Sequence, residues 1–401
     1  MPRCSVILSA LLLAMTSATF AGDFKSDLDF LKQYTDVLVL RAPGGQAMLA
    51  VSPKLQGRVM TSTADGDQGL SFGWINRDYF ADVAKGNVNK HISPYGGEDR
   101  FWLGPEGGQF AIFFSPGSAF DFDHWFTPPQ IDTEPFEVVS SVGDHATFSR
   151  EMSLTNFSGT TFKLLVTREV RMLTPDAVWQ RLGVEPVSGL KVVAYETDNA
   201  VRNTGDADWK KETGLLSIWI LGMFNASPKT VVAIPVKGGE GQAVNDDYFG
   251  KVPADRLKVV NNVAYFKADA NLRSKIGVPP SRVKPVAGSY DPTNKVLTFV
   301  QFTFDPKASE YVNSAWKMQD NPYGGDVINS YNDGPTGPGK PQMGKFYELE
   351  TSSPARELKK GDTLRHVHRT MHLQGDEAQL ERVSRAVLGV GLKEIESAFS
   401  Q

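Results

Sequence analysis

Glu348 and Glu350 stand two positions apart in Tyr347-Glu348-Leu349-Glu350-Thr351. Successive side chains of a strand point to opposite faces, so the two carboxylates share one face if the run is extended. Paired carboxylates can take and give protons. A plainer arrangement would pair Glu350 with Arg365 or Arg369 across the last hairpin. His366, His368 and His372 repeat the same spacing on Leu364 to Leu373. An x-His-x-His pair can hold zinc with a third ligand, but His368 and His372 would lie about 13 Å apart at the strand rise, so the histidines are expected to be solvated or hydrogen-bonded on an outer sheet face, with no metal. Asp121-Phe122-Asp123-His124-Trp125-Phe126 reads as an aromatic loop whose rings would either pack on the CH face of a sugar or plug the core. Gly324 to Gly334 reads as an irregular, oxygen-rich loop, suited to hydroxyl-rich ligands, to Ca²⁺, or simply to turns. Arg282 and Lys284, after Ile276-Gly277-Val278-Pro279-Pro280, are expected on solvated surface.

These side chains need strands to position them. Runs of β-branched and aromatic residues recur at Asp36–Arg41, Gln46–Ser52, Gln109–Ser115, Thr160–Met172, Leu190–Thr197, Leu215–Leu221, Thr230–Val236, Val263–Ala268 and Lys295–Phe304, punctuated by Gly, Pro, Asn and Asp. That spacing predicts an all-β sandwich rather than alternating strands and helices. Phe24, Leu28 and Leu31 predict a short opening helix, and Glu377–Leu388 with Leu392–Phe399 a closing helical pair.

The chain has 42 Lys+Arg against 46 Asp+Glu with no long run of one sign, which offers nothing to nucleic acid or an anionic membrane. Met1-Pro2-Arg3, the apolar stretch Val6 to Met15 and Thr19-Phe20-Ala21 read as a cleavable signal peptide, residues 1–21, too short to span a bilayer. A secreted or periplasmic protein with no membrane attachment is expected, its single domain covering 22–401. The one cysteine, Cys4, falls inside the signal, so neither disulfides nor thiol chemistry are expected. No nucleotide-binding glycine loop and no Gly-x-Ser-x-Gly elbow is present, and no cofactor is expected. The oligomeric state is left open.

Leu349-Glu350-Thr351, followed by Leu358 and Gly361-Asp362-Thr363, resembles the closing segment of the galactose mutarotase (aldose 1-epimerase) superfamily. Gly57-Arg58-Val59, the Tyr95-Gly96-Gly97-Glu98-Asp99-Arg100-Phe101-Trp102 segment and Thr197-Asp198-Asn199-Ala200-Val201-Arg202-Asn203 are similar to three further segments of that family, in the same order. The resemblance implies a galactose mutarotase-like β-supersandwich with a carbohydrate ligand. It implies Glu350 as base, with Arg58, Glu98, Arg100, Trp102, Asn199, Arg202 and Glu348 around the substrate, and it implies that Arg58, Glu98, Arg100, Asn199 and Glu350 converge on one cleft. Two departures bear on chemistry. Tyr95 and Asn199 occupy the places of the family's histidines, and a phenol of pKa about 10 is a far poorer donor near neutrality than an imidazole of about 6.5. Tyr95 itself, or His91 or His124 from neighbouring loops, would then supply the acid, and mutarotation of galactose or glucose is expected to be slow or absent. An isomerase acting at the anomeric centre is the first reading; the alternatives are a non-catalytic sugar-binding module and a polysaccharide lyase or hydrolase on the same scaffold.

Overall fold

The computed structural model describes residues 22–337 and 339–400. The expected signal segment, Met1 to Ala21, lies outside the described residues. Helix α1 (Phe24–Tyr34) is capped by the Asp23 side chain on the Ser26 amide and buries Phe24, Leu28 and Leu31, the periodic apolar positions. Strands β1 (Leu38–Arg41), β2 (Met48–Ser52) and β3 (Arg58–Thr63) form a small antiparallel sheet. Next come α2 (Arg77–Ala84), β4 (Arg100–Gly104), α3 (Pro129–Asp132), β5 (Glu137–Val142), β6 (His145–Thr155), β7 (Thr161–Met172) and α4 (Pro175–Leu182). They are followed by β8 (Lys191–Asn203), β9 (Ser217–Asn225), β10 (Val231–Pro235), β11 (Leu257–Val260), β12 (Val263–Lys267) and β13 (Ser274–Val278). The last strands are β14 (Val286–Asp291), β15 (Val296–Phe302), β16 (Ile328–Asn332), β17 (Phe346–Ser352) and β18 (Thr363–Gln374), before helices α5 (Glu377–Leu388) and α6 (Leu392–Glu396).

Two large sheets make the sandwich. One has ten strands in the order β11-β12-β10-β14-β15-β18-β8-β7-β6-β5, the other five in the order β13-β16-β17-β9-β4. Their inner faces meet at Ser289 Oγ and Tyr347 OH, 2.7 Å apart, and at Thr351 and His366. Part of the outer face of the ten-stranded sheet is covered by the closing helices, where Leu297, Phe299, Met371 and Leu373 pack with Leu380, Val383 and Ile395. Each fully buried aliphatic side chain there contributes about 1.5–3 kcal/mol.

Two expected elements differ. Gln109–Ser115 is a loop, and its apolar run exists because Ala111, Ile112, Phe113 and Phe114 are buried beneath it. The segment expected to be an irregular loop at Gly324 to Gly334 contains strand β16, whose Asn329 and Tyr331 pair with Glu350 and Glu348. Its Asn329, Ser330 and Asn332 conceal this strand in the sequence, although Ile328 and Ser330 face Val278, Ile276 and Leu349 in the core.

Candidate functional site

Residues opposite one another in an antiparallel pair project to the same side of the sheet. Glu350 lies opposite Asn329 and Leu221, Arg100 opposite Leu221, Trp102 opposite Trp219, and Lys275 opposite Tyr331, which faces Glu348. Arg100, Trp102, Trp219, Glu348, Glu350, Asn329, Tyr331 and Lys275 therefore share the face turned away from the ten-stranded sheet. Loops roof this face. Trp102 leads through Phe113 and Trp125 to Trp316 by ring contacts of 5.2, 5.7 and 5.7 Å, and the Trp316 indole donates to Glu106 Oε1 at 3.1 Å. From the β10–β11 connection Tyr248 donates its hydroxyl to Asp326 at 2.5 Å and accepts from Asn329. A Cβ on Gly277 would come within 2.0 Å of Asp326 Oδ2, so only glycine lets that carboxylate approach.

Glu350 is fully buried. Its Oε2 accepts from Trp219 Nε1 and from Lys275 Nζ, each at 2.9 Å, and its Oε1 has no partner in the protein. The Lys275 ammonium also sits 4.9 Å from the Trp219 ring centroid and 5.5 Å from that of Tyr248. Burial works against its charge, but Glu350, Glu106 and Glu348 outweigh it and hold its pKa above the ordinary value. Burial raises the pKa of Glu348 well above the carboxylate range, and Glu350 adds to the effect. Glu106 is raised by burial as well, against the opposing pull of Lys275 and Trp316. Arg100 stacks on Trp102 with 4.3 Å to the ring centroid and donates from Nη2 to Asp132 at 2.5 Å, leaving Nε and Nη1 unpartnered along with Trp102 Nε1.

The residues anticipated from the sequence separate into groups. Arg100, Trp102, Glu348 and Glu350 come together. Arg58 is buried beneath Gly96 and Gly97, donating to Gly96 O at 2.9 Å, and feels the charges of Arg100 and Asp132. Gly97, at φ +112°, admits it, since a Cβ there would lie 2.6 Å from Arg58 Cδ. Tyr95 packs against Tyr79 and Phe80 near Arg58. The expected convergence of five residues on one cleft does not hold, because Glu98 and Asn199 lie between the sheets. Glu98 Oε2 is 2.9 Å from His372 Nε2, while Asn199 accepts from Arg168 and donates to His366 O. The position of Asn199 on β8 turns it inward, opposite His366 and Arg168. Arg202 projects to solvent from the outer side of the same strand. His124 is exposed and bonded to Asp121 in its own loop; His91 is buried, its Nδ1 2.7 Å from Trp125 O. The aromatic loop divides, with Trp125 in the core and Phe122 and Phe126 exposed.

His366, His368 and His372 are on an inner face, not an outer one, because β18 is central in its sheet and that side meets β17. Thr351 Oγ1 lies 2.8 Å from both His366 Nε2 and His368 Nδ1. Burial pushes both histidines down to about 3, so they are neutral. Among the described residues no group of three or more His, Cys, Asp or Glu could hold a metal ion. Arg282 is buried rather than solvated, its Nε donating to Lys237 O at the base of the β10–β11 connection, whereas Lys284 is exposed. Sequence reasoning missed Lys275, Trp219, Tyr248 and Glu106, and took in Asp326 only as part of the oxygen-rich Gly324 to Gly334 segment. Trp219 and Lys275 lay inside or beside runs recognisable only as strands, and the others come from loops. A surface cavity of about 360 Å³ lined by Pro279, Pro280, Pro306 and Gly324 lies apart from this face, and Lys307 is the one charged residue in its lining.

The sequence profile of a family of unknown function, DUF6786, matches residues 22–399. The chain belongs to this family. No curated protein matches it. Among solved structures, this DUF6786 chain is similar to the Slr1438 protein from Synechocystis sp. PCC 6803, at 13% identity over 86% of this chain and 98% of that one, with a TM-score of 0.50. A putative aldose 1-epimerase from Escherichia coli K12 is similar at 12% identity, 85% and 100% coverage and a TM-score of 0.49. A galactose mutarotase-like protein from Lactobacillus casei ATCC 334 follows at 9% identity, 84% and 100% coverage and a TM-score of 0.48. At such identities the likeness concerns the fold alone. The DUF6786 chain is a two-sheet β-sandwich that shares its fold with the Slr1438 protein.

Proposed function

We propose that the protein binds an aldose on the outer face of the five-stranded sheet and moves protons at its anomeric centre, interconverting the two anomers. The observation that carries this reading is Glu350: buried, its Oε2 held by Lys275 and Trp219, its Oε1 without a partner on the sheet face that also carries the unpartnered donors of Arg100 and Trp102. A carboxylate so oriented can take the proton of an anomeric hydroxyl. Indole rings suit the CH face of a pyranose, and the free guanidinium and indole N–H groups suit its oxygens. A second reading, sugar binding without catalysis, is favoured by the packing of Tyr95 among Tyr79 and Phe80 and by the inward bonds of Asn199, since neither is offered to the cleft as an acid.

Polarimetry and NMR exchange spectroscopy on a panel of freshly dissolved aldoses and uronic acids test the reading. The wild type is expected to accelerate anomer exchange for at least one sugar. Saturable binding with no acceleration supports the second reading instead, and neither binding nor acceleration overturns both. Export, with cleavage near Ala21, is also proposed from the apolar leader; intact mass of protein recovered outside the cytoplasm tests it, and retention of Met1 to Ala21 would rule it out.

A further inference from the structure

Glu348 shares the Glu350 face of β17, about 7 Å along the strand, and is 6% exposed. The charged and titratable groups that face it are Glu350 on its own strand, Lys275 on β13, Arg100 on β4, Tyr331 on β16 and Asp333 just after β16. The two cations are already engaged. Lys275 is bonded to Glu350 Oε2 and Arg100 to Asp132. Two buried carboxyls with one bonded ammonium between them do not both ionise readily, so the pair retains a proton. Because Lys275 bonds to Glu350, that proton belongs on Glu348.

Resting on the aldose reading above, we propose that Glu348 is the proton donor of the cleft, the acid that complements Glu350 as base. In ring opening Glu350 takes the O1 proton, the O1–C1 double bond forms and the C1–O5 bond breaks. The released electron pair stays on O5, which receives the proton of Glu348. After rotation about C1–C2, O5 attacks C1 from the other face, its proton returns to Glu348 and O1 recovers the proton from Glu350. The carboxyl pair begins and ends with one proton, so no external acid or base is consumed and no imidazole is required.

Glu348→Gln and Glu348→Asp, compared with Glu350→Gln, test the assignment on whichever aldose the wild type turns over. Glu348→Gln is expected to keep the wild-type circular dichroism and its aldose affinity within a few-fold while exchange falls by about 10²-fold or more, with partial recovery in Glu348→Asp. A merely structural Glu348 would not separate rate from affinity in this way. Carboxyl ¹³C NMR of glutamate-labelled protein, with Glu348 assigned by the Gln variant, reads the proton directly and needs no substrate. A Glu348 carboxyl still protonated at pH 7 is expected. A midpoint in the ordinary carboxylate range overturns the proposal, as does wild-type turnover in Glu348→Gln beside an inactive Glu350→Gln. Absence of acceleration by the wild type on every aldose is a different result, which overturns the aldose reading and the donor role with it.

Discussion

Strand β17 has two buried polar clusters back to back. On one side Glu348 and Glu350 face Lys275, Trp219 and Arg100; on the other Thr351 bridges His366 and His368, with the Asp99–Arg168 pair and Asn199 beyond. Both are largely buried, yet their bonding differs. Arg168 donates to Gly57 O at 3.1 Å, to Asn199 Oδ1 at 2.6 Å and to Asp99 Oδ1 at 2.5 Å, and Asp99 also accepts from Thr197. The outer side leaves Glu350 Oε1, Arg100 Nε and Nη1 and Trp102 Nε1 without partners. In the inner cluster Glu98 Oε1 is in the same condition. Buried polar groups are nearly always satisfied, and the set of donors with an acceptor on this one face is the feature on which the proposed aldose site rests. The inner cluster bonds across the two sheets, whereas the outer one carries the proposed site.

The largest expected effect lies in the inner cluster. Arg168→Ala leaves the Asp99 carboxylate buried and unpaired, and chemical denaturation should show a loss of about 3–5 kcal/mol; a change under 1 kcal/mol would remove the distinction between the two sides. Next, Glu350→Gln leaves the Lys275 ammonium without its carboxylate and so lowers the melting temperature, but in protein shown by circular dichroism to be folded anomer exchange should fall by about 10²-fold or more, roughly 2.7 kcal/mol of barrier. Unchanged turnover with a lowered melt would assign Glu350 to the scaffold. Asn199→Ala removes an acceptor from Arg168 and should cost about 1–3 kcal/mol of stability while aldose affinity is unchanged. A selective loss of affinity would mean that the inner cluster reaches the ligand.

The two histidines sharpen the comparison through pH. Their folded pKa is about 3, against an ordinary 6.5. As pH falls below about 6.5 the unfolded chain binds protons that the native protein refuses until about 3, so stability is full above that window and declines within it, by up to about 1.4 kcal/mol per pH unit for each histidine. Denaturation at pH 7 and pH 5 should show the decline, and His368→Gln should flatten it; an unaltered slope would place its origin in other groups. Arg202→Ala, on exposed surface away from both clusters, should alter stability by less than about 0.5 kcal/mol and leave exchange unaffected.

Local pattern determined much of this protein. The 3.6-residue period marked α1 and α5 because each buries one stripe, and the strand runs followed alternation against a core. The i, i+2 spacing alone placed Glu348 with Glu350 and put the three histidines on a common face, for side chains of a strand alternate whatever they pack against. What alternation cannot state is which side of the sheet is the inside. Only the stacking of ten strands on five decided that the histidines and Asn199 turn inward while Glu350 turns out, and only sheet order brought Lys275 and Trp219, 75 and 131 residues away from Glu350 in the chain, onto its Oε2. Charge pairing across such distances depends on strand register set by the whole core, and no local rule of sequence contains it.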